Sequence, residues 1–237
     1  MKLFKSLRKK YKMLKQKKKS QKKINNFSFN NDISVSNDDL ARISISIQGK
    51  DNVIKVGKLA PGNGKLIIQI AGDNNVVEIK SGCIITNTLR ITVGQMHFNF
   101  GAIQNVKCYI GEQCSFESCN IVTVNSNALI SVDDNCMVSY NVNIYHTDAH
   151  PILDVKTNKI INKVKSLIIG NHVWLGANST ILKNTSIEHD CIVGWGSVVS
   201  GHFAEPYCAI AGNPGRIVKS GITWDSNGSK GYVQNDT

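Results

Sequence analysis

The sequence lacks any run of 18 or more apolar residues, so it predicts no membrane-spanning helix. No continuous apolar stretch follows the basic N-terminus, and a secretory signal is therefore not expected. The seven cysteines include no CxxC pair, and their odd number argues against a disulfide framework. None of them stands beside a clear base that would activate a thiolate. We therefore expect reduced, structural cysteines and a cytoplasmic protein.

Most of the chain has almost no net charge. The formal charge is +11, yet residues 1–23 alone carry 12 basic side chains and no acidic one, which leaves 16 basic and 17 acidic side chains elsewhere. Apolar residues recur at helical spacing in this segment, which predicts a basic amphipathic helix that lies on an anionic membrane surface. A solvated basic arm and a segment that attracts a polyanionic substrate are the alternatives. A nucleic acid partner is not expected.

The sequence has instead a repeat of six residues. An aliphatic residue occupies every sixth position, and a small or β-branched residue follows each of the first five after four positions. The aliphatic set is Ile169, Leu175, Ile181, Ile187, Val193 and Val199, and the small set is Val173, Ser179, Thr185, Cys191 and Ser197. This period is typical of a parallel β-helix with coils of about 18 residues. We expect aliphatic residues inside, small residues near the corners, and Gly170, Gly176 and Gly194 in turns with positive φ.

The remaining chain divides around this repeat. Residues 41–132 are β-rich but irregular, which favours early, degenerate coils of the same solenoid. The period returns at Val132, Val138 and Ile144, and then breaks over Tyr145–Leu167, which we interpret as an inserted active-site loop. We therefore predict an all-β fold in three parts: a basic segment and linker (1–40), a β-helix (41–220) and a polar C-terminal tail (221–237).

The inserted loop begins with residues suited to catalysis. His150 is a candidate general base, and Asp148 would orient its imidazole or stabilise the protonated form. Plain solvent exposure of two loop histidines is the alternative. A zinc site made by His146, His150 and His172 is a third possibility, although the spacing fits no known ligand motif. Near the C-terminus, Arg216 and Lys219 follow a tight turn and could hold a phosphate.

These features together resemble one family. The hexads, His150–Ile152 within TDAHPILD, the NHVWLG of 171–176 and the AGNPGR of 211–216 are similar to the hexapeptide-repeat, acetyl-CoA-dependent acetyltransferases. The loop most resembles that of the bacterial capsule, lipopolysaccharide and sialic-acid O-acetyltransferases. The resemblance covers roughly residues 130–220. It implies a left-handed parallel β-helix, a homotrimer with active sites between subunits, acetyl-CoA as co-substrate and no metal.

The resemblance also implies roles for individual residues. His150 would deprotonate the acceptor hydroxyl, and the backbone N–H of Trp174 would stabilise the oxyanion. Contacts to the acetyl-CoA are implied for Gly176, Ala177, Gly194 and Ser197 along the pantetheine arm, and for Ala211, Gly212, Asn213, Arg216 and Lys219 at the nucleotide end. We also expect substrate contacts from Asn120, Tyr145 and His146, although relatives often have Ser or Ala in place of His146.

The function that these residues and the resemblance lead us to expect is O-acetylation of a sugar hydroxyl in a surface polysaccharide, of capsular, lipopolysaccharide or sialic-acid-containing type, or in its precursor. The same fold and donor could instead acetylate the amine of a nucleotide-linked amino sugar. A non-catalytic or metal-dependent β-helix is the third hypothesis.

Overall fold

A computed structural model describes residues 24–26, 30–94 and 103–226. Within these ranges all the regular elements longer than a turn are β-strands. The basic segment 1–23, for which the sequence predicts a helix, lies outside the described residues. No helix in the described ranges is long and apolar enough to cross a membrane.

Most strands are short, as the turns of a solenoid require. In chain order they are β1 (Ile24–Asn26), β2 (Asp32–Val35), β3 (Ile43–Gln48), β4 (Val53–Val56), β5 (Lys65–Asp73), β6 (Val76–Ile79), β7 (Ile84–Val93), β8 (Ile103–Gln104), β9 (Lys107–Ile110), β10 (Ser115–Thr123), β11 (Leu129–Val132), β12 (Met137–Val138), β13 (Val142–Tyr145), β14 (Ser166–Ile169), β15 (Trp174–Leu175), β16 (Thr180–Leu182), β17 (Ser186–Ile187), β18 (Ile192–Val193), β19 (Val198–Val199), β20 (His202–Phe203), β21 (Cys208–Gly212) and β22 (Gly215–Ser220).

All the strands but β22, which pairs antiparallel with β21, stack in parallel into the three faces of a prism. One face is an 8-stranded sheet that runs from β2 to β20, and the other two faces belong to a 14-stranded sheet. That larger sheet divides at β10, whose first residues pair with β12 and whose later residues pair with β13. From there one face continues through β15, β18 and β21, and the other through β16 and β19. The predicted parallel β-helix is therefore confirmed.

The length of each coil explains why the six-residue period is visible only late in the chain. Ile45 pairs with Ile68 and Ile68 with Ile91, a step of 23 residues for each coil. Ile181 pairs with Val199, a step of 18 residues. In the early coils one long strand covers two faces, so three equal hexads do not form. The irregular region is therefore a set of longer coils of the same solenoid.

The interior matches the expectation from the hexads. All six aliphatic residues from Ile169 to Val199 are at most 2% exposed, and the five small residues that follow them are at most 1% exposed. All seven cysteines of the chain lie within the described residues, and each has a free, buried thiol. Burial raises the pKa of the Cys108 thiol to about 12, and the thiol therefore stays protonated and unreactive.

The corner glycines serve a different purpose from the one that the sequence suggests. Gly170, Gly176 and Gly194 do not have positive φ; a Cβ on Gly176 would instead lie 2.4 Å from the carbonyl oxygen of Val193 in the next coil. Gly170 and Gly176 are needed for close approach between the backbones of neighbouring coils. Polar residues take the left-handed corners, among them His172 (φ 53°) and Asn178 (φ 57°), because a short polar side chain tolerates that conformation.

The two ends of the solenoid differ in how they meet the expected boundaries. β1 pairs with β3 and β2 pairs with β4, so stacking begins before residue 41. At the other end the last strand ends at Ser220, and residues 222–226 of the polar tail pack against the coils. The amide of Ile222 donates to the Tyr207 carbonyl, and the indole of Trp224 donates to the His172 carbonyl. The division into three parts otherwise stays a prediction.

A ladder of buried asparagines joins the early coils. The side-chain oxygen of Asn52 accepts hydrogen bonds from both the backbone and the side-chain N–H of Asn75, each at 3.0 Å. Asn75 in turn donates to the Ile103 carbonyl at 3.2 Å and accepts from the Val106 amide at 2.9 Å. Both asparagines are fully buried, so each coil depends on the next for its hydrogen bonds.

We predict that Asn75→Ala lowers the free energy of unfolding by about 2–4 kcal/mol, because it leaves buried donors and acceptors without partners. Asn87→Ala, an exposed asparagine in β7, is the control and should change it by no more than about 0.5 kcal/mol. Urea unfolding followed by circular dichroism measures both. Equal losses in the two variants would contradict a structural role for the ladder.

Candidate active site

The inserted loop leaves the prism at the end of β13 and returns at β14. Within it, Leu153 and Ile160 form a short antiparallel bridge, and the amide of Ile161 donates to the carbonyl of Ile152. Several apolar side chains of this hairpin are exposed, including Val155 at 99% and Ile161 at 62%. The loop is thus an ordered projection with an apolar surface.

A charged contact closes the base of the loop. The carboxylate of Asp148 lies 2.6 Å from the ammonium of Lys183 and accepts a hydrogen bond from the Asn162 side chain at 2.7 Å. Lys183 also donates to the Asn162 carbonyl. Burial alone would raise the pKa of Asp148, but the hydrogen bonds from Lys183 and Asn162 outweigh it and hold the pKa below its usual value.

These contacts join Asp148 to the returning limb of the loop, through Asn162, and to the next coil, through Lys183. Its predicted role in orienting the His150 imidazole has no support from them and stays a prediction. Sequence reasoning missed Lys183 and Asn162 because neither lies in a motif and both are distant from Asp148 along the chain.

His150 itself is exposed at this loop base. Its backbone is fixed, because its amide donates to the Asp148 carbonyl at 2.6 Å and its carbonyl accepts from Asn162 at 2.9 Å. Tyr145, the last residue of β13, is 41% exposed. Asn120 lies in the coil that precedes β13 and donates to the side chain of Asn143 at 3.2 Å.

His146 requires a correction. Its side chain is 0% exposed, so it does not reach a substrate as expected. Burial lowers the pKa of the imidazole, and its Nε2 faces the Lys165 carbonyl at 3.3 Å. His146 therefore packs as a neutral residue beneath the returning limb of the loop. Its Nδ1 is buried without a hydrogen-bond partner among the described residues.

The predicted oxyanion donor also requires a correction. The N–H of Trp174 donates to the Cys191 carbonyl at 2.9 Å, and that of Gly176 donates to the Val193 carbonyl at 2.8 Å. Both are therefore occupied in the ladder between coils. The N–H of Ala177, at the corner after β15, has no acceptor within the described ranges.

The residues expected to contact acetyl-CoA fall into two groups. Gly176, Ala177 and Ser197 are buried, and the Ser197 hydroxyl accepts a hydrogen bond from the Gly212 amide at 3.1 Å. Ser197 thus supports the C-terminal hairpin from below and does not offer its side chain to a ligand. The exposed group lies on the hairpin of β21 and β22 and comprises Gly212, Asn213, Arg216 and Lys219, with the partly buried Ala211 and Gly194 beside it.

The three histidines of the zinc alternative do not form a site. His172 is bound to Asp190 at 2.7 Å, and His146 is buried against Lys165. Within the described parts of the chain, no group of three His, Cys, Asp or Glu side chains is arranged to hold a metal ion.

We predict that Lys183→Met loosens the loop while the coils stay intact, because Asp148 and the Asn162 carbonyl lose their shared partner. Amide exchange over residues 147–165 should become roughly two- to tenfold faster, and measurement by mass spectrometry tests this. The control is Lys163→Met, an exposed lysine on the returning limb. Equal loosening in both variants would contradict the assignment.

The same contact should give the loop a pH dependence. The pKa of Asp148 in the folded state lies below its ordinary value of 3.8. Its contribution to stability is therefore present above pH 3.8 and is lost as the pH falls through the lowered pKa.

Comparisons with known proteins agree with this geometry. The chain is 34% identical to the polysialic acid O-acetyltransferase of Neisseria meningitidis over 190 residues, which cover 76% of this chain and 88% of that protein. It is 32% identical to the polysialic acid O-acetyltransferase of Escherichia coli O1:K1 over 116 residues, which cover 49% of this chain and 37% of that protein. No protein-family model matches the chain.

A solved structure extends the similarity to the fold. The crystal structure of the polySia-specific acetyltransferase NeuO superposes with a TM-score of 0.61 at 25% identity and covers 81% of this chain and 93% of that chain. The likeness confirms the left-handed parallel β-helix. The chain therefore belongs to the family of hexapeptide-repeat acetyltransferases that includes the polysialic acid O-acetyltransferases.

Proposed function

We propose that the protein transfers an acetyl group from acetyl-CoA to a sugar hydroxyl of an acidic, sialic-acid-containing surface polysaccharide or its precursor. The observation that carries this proposal is the 34% identity to a polysialic acid O-acetyltransferase over 88% of that protein's length. The ordered loop that presents an exposed His150 supports it.

In the proposed reaction His150 acts as general base. The neutral imidazole accepts the proton of the acceptor hydroxyl, and the oxygen attacks the thioester carbonyl carbon. The resulting tetrahedral intermediate collapses with loss of the CoA thiolate, to which the imidazolium can return the proton. The fixed backbone of residue 150 supports this role, because a general base must be held within hydrogen-bond reach of its substrate.

The negative charge of the intermediate needs a hydrogen-bond donor, and we assign the N–H of Ala177 to this role in place of Trp174. Strand amides are consumed by the next coil, whereas this corner amide has no acceptor within the described residues. One such donor contributes about 10²–10³-fold to the rate. Arg216 and Lys219, exposed on the C-terminal hairpin, would hold the phosphates of the donor.

The positions of these groups favour a site shared by two copies of the chain. The loop with His150 leaves from the end of β13, whereas Ala177 lies at the corner before β16, which pairs with β13 on the same face. The two groups therefore start from opposite edges of one face, about 10–13 Å apart by the rise of its strands. Head-to-tail contact between identical copies would bring the loop edge of one copy against the Ala177 edge of the next. A closed ring, such as the expected trimer, would repeat that contact at every interface.

The location of the enzyme follows from the same proposal. Residues 1–23 would hold it at the inner face of the cytoplasmic membrane, or would draw a polyanionic chain toward it, through their 12 basic side chains.

The acceptor class can be tested directly. Purified protein and acetyl-CoA are incubated with polysialic acid, monomeric sialic acid, an uncharged polysaccharide and a nucleotide-linked amino sugar, and thiol release is followed. We expect the fastest turnover with the acidic polysaccharide and a product whose acetyl group is removed by mild alkali, as an ester is. An alkali-stable acetyl group found only on the amino sugar would favour the N-acetyl alternative.

We predict that His150→Asn lowers kcat by about 10²–10⁴-fold, the usual contribution of a general base. Thermal stability should not change, because the side chain is exposed. The matched control is His202→Asn, an exposed histidine on the 8-stranded sheet, which should retain full activity. Undiminished turnover in His150→Asn would remove this residue from the mechanism.

A further inference from the structure

The C-terminal strap, residues 222–226, runs down one corner of the prism. The Ile222 amide donates to the Tyr207 carbonyl at 2.9 Å, and the Thr223 hydroxyl donates to the Asp190 carboxylate at 3.3 Å. The Trp224 indole N–H donates to the His172 carbonyl at 2.8 Å. Its three partners, Tyr207, Asp190 and His172, are the left-handed corner residues of successive coils. The strap therefore follows a regular column and contacts one coil with each residue.

Trp224 lies on a rigid support. Its ring stacks on that of His172 with centroids 4.2 Å apart and an interplanar angle of 11°. The Asp190 carboxylate accepts from His172 Nδ1 at 2.7 Å through one oxygen and from His189 Nδ1 at 2.8 Å through the other. The His189 ring in turn meets Tyr207 edge-on at 5.2 Å. Four side chains thus fix the plane on which Trp224 rests.

The other neighbour of Trp224 is Trp174, whose ring centroid is 6.1 Å away at an angle of 47°. The Trp174 indole N–H donates to the Ser139 hydroxyl at 3.0 Å. Its side chain is therefore held by the preceding coil and by the strap. Trp174 belongs to β15, and the chain passes from this strand directly through Gly176 to Ala177, the corner with the available N–H.

We propose that Trp224 is a positioning residue of the acyl-donor site, which acts by fixing the indole of Trp174 beside the corner where the thioester must bind. The proposal rests on the function given above. The proposal takes the thioester to bind along the outer side of β15, which leads to the Ala177 corner and carries the Trp174 ring. With Trp224 in place the ring is already ordered when the donor arrives; without it, binding must also restrict the ring's motion.

The test compares Trp224→Ala, His172→Asn and their double variant by steady-state kinetics. Asparagine tolerates the left-handed corner at residue 172 but removes the aromatic support. Each single variant should raise the KM for acetyl-CoA by roughly two- to tenfold, the range of an aromatic contact, with a smaller change in kcat. The double variant should lose no more than the larger single change, because both act through one contact. Trp224→Phe should recover most of the affinity.

Controls separate this inference from the function on which it rests. Tyr109→Ala, which removes an aromatic ring from the 8-stranded sheet, should leave the KM for acetyl-CoA unchanged. Calorimetry with CoA alone gives the donor affinity without an acceptor. A wild-type protein that neither binds CoA nor transfers acetyl would contradict the proposed function. The role of Trp224 would be overturned if Trp224→Ala and His172→Asn bound CoA as tightly as the wild type. It would also be overturned if kcat fell only in proportion to the melting temperature.

Discussion

The spacing between stacked coils is the constraint on which the rest of the molecule depends. Hydrogen bonds between parallel strands set it to about 4.8 Å, and every side chain that projects along the prism axis must fit within that distance. Gly176 has no room for a Cβ under the Val193 carbonyl, and Ser179 and Thr185 are small enough to be buried at their corners. The same spacing lets Asn52 and Asn75 bond directly to one another. Close packing of backbone on backbone thus selects the residues at each corner.

This constraint also determines where chemistry can occur. A strand N–H is taken by the next coil, as the amides of Trp174 and Gly176 are. Within the stack a corner can present a free backbone donor, and an insertion between coils can carry a side chain well away from the stack without breaking the ladder. Ala177 meets the first condition and His150 meets the second. The catalytic groups that we propose are therefore located where the repeat is relaxed or interrupted.

The period of the sequence predicted the interior of the late coils and the position of the loop, because inward residues must recur at each turn. It could not give the partners of side chains that meet between coils. His146 looked like a loop residue but is buried beneath Lys165, and Asp148 is bound to Lys183, 35 positions away. Trp224 stands alone in a polar tail, so no pattern indicated that it would stack on His172. Contacts between coils depend on the register in which their strands pair. Insertions of different length between coils prevent that register from being predicted from the sequence.

The exposed apolar residues of the loop link the packing of the molecule to its proposed catalysis. Ile152, Val155 and Ile161 project from the hairpin that carries His150, and an exposed apolar cluster of this kind in a polar surface favours contact with another surface. In the proposed assembly that surface is the corner of a second copy, near its Ala177 and Trp174. Burial of the hairpin would then bring the base to the thioester and remove water from it in one step. In a single chain the loop that carries the proposed base and the corner that carries the proposed oxyanion donor start from opposite edges of one face. A second copy of the chain would therefore both cover the apolar loop and complete the proposed site.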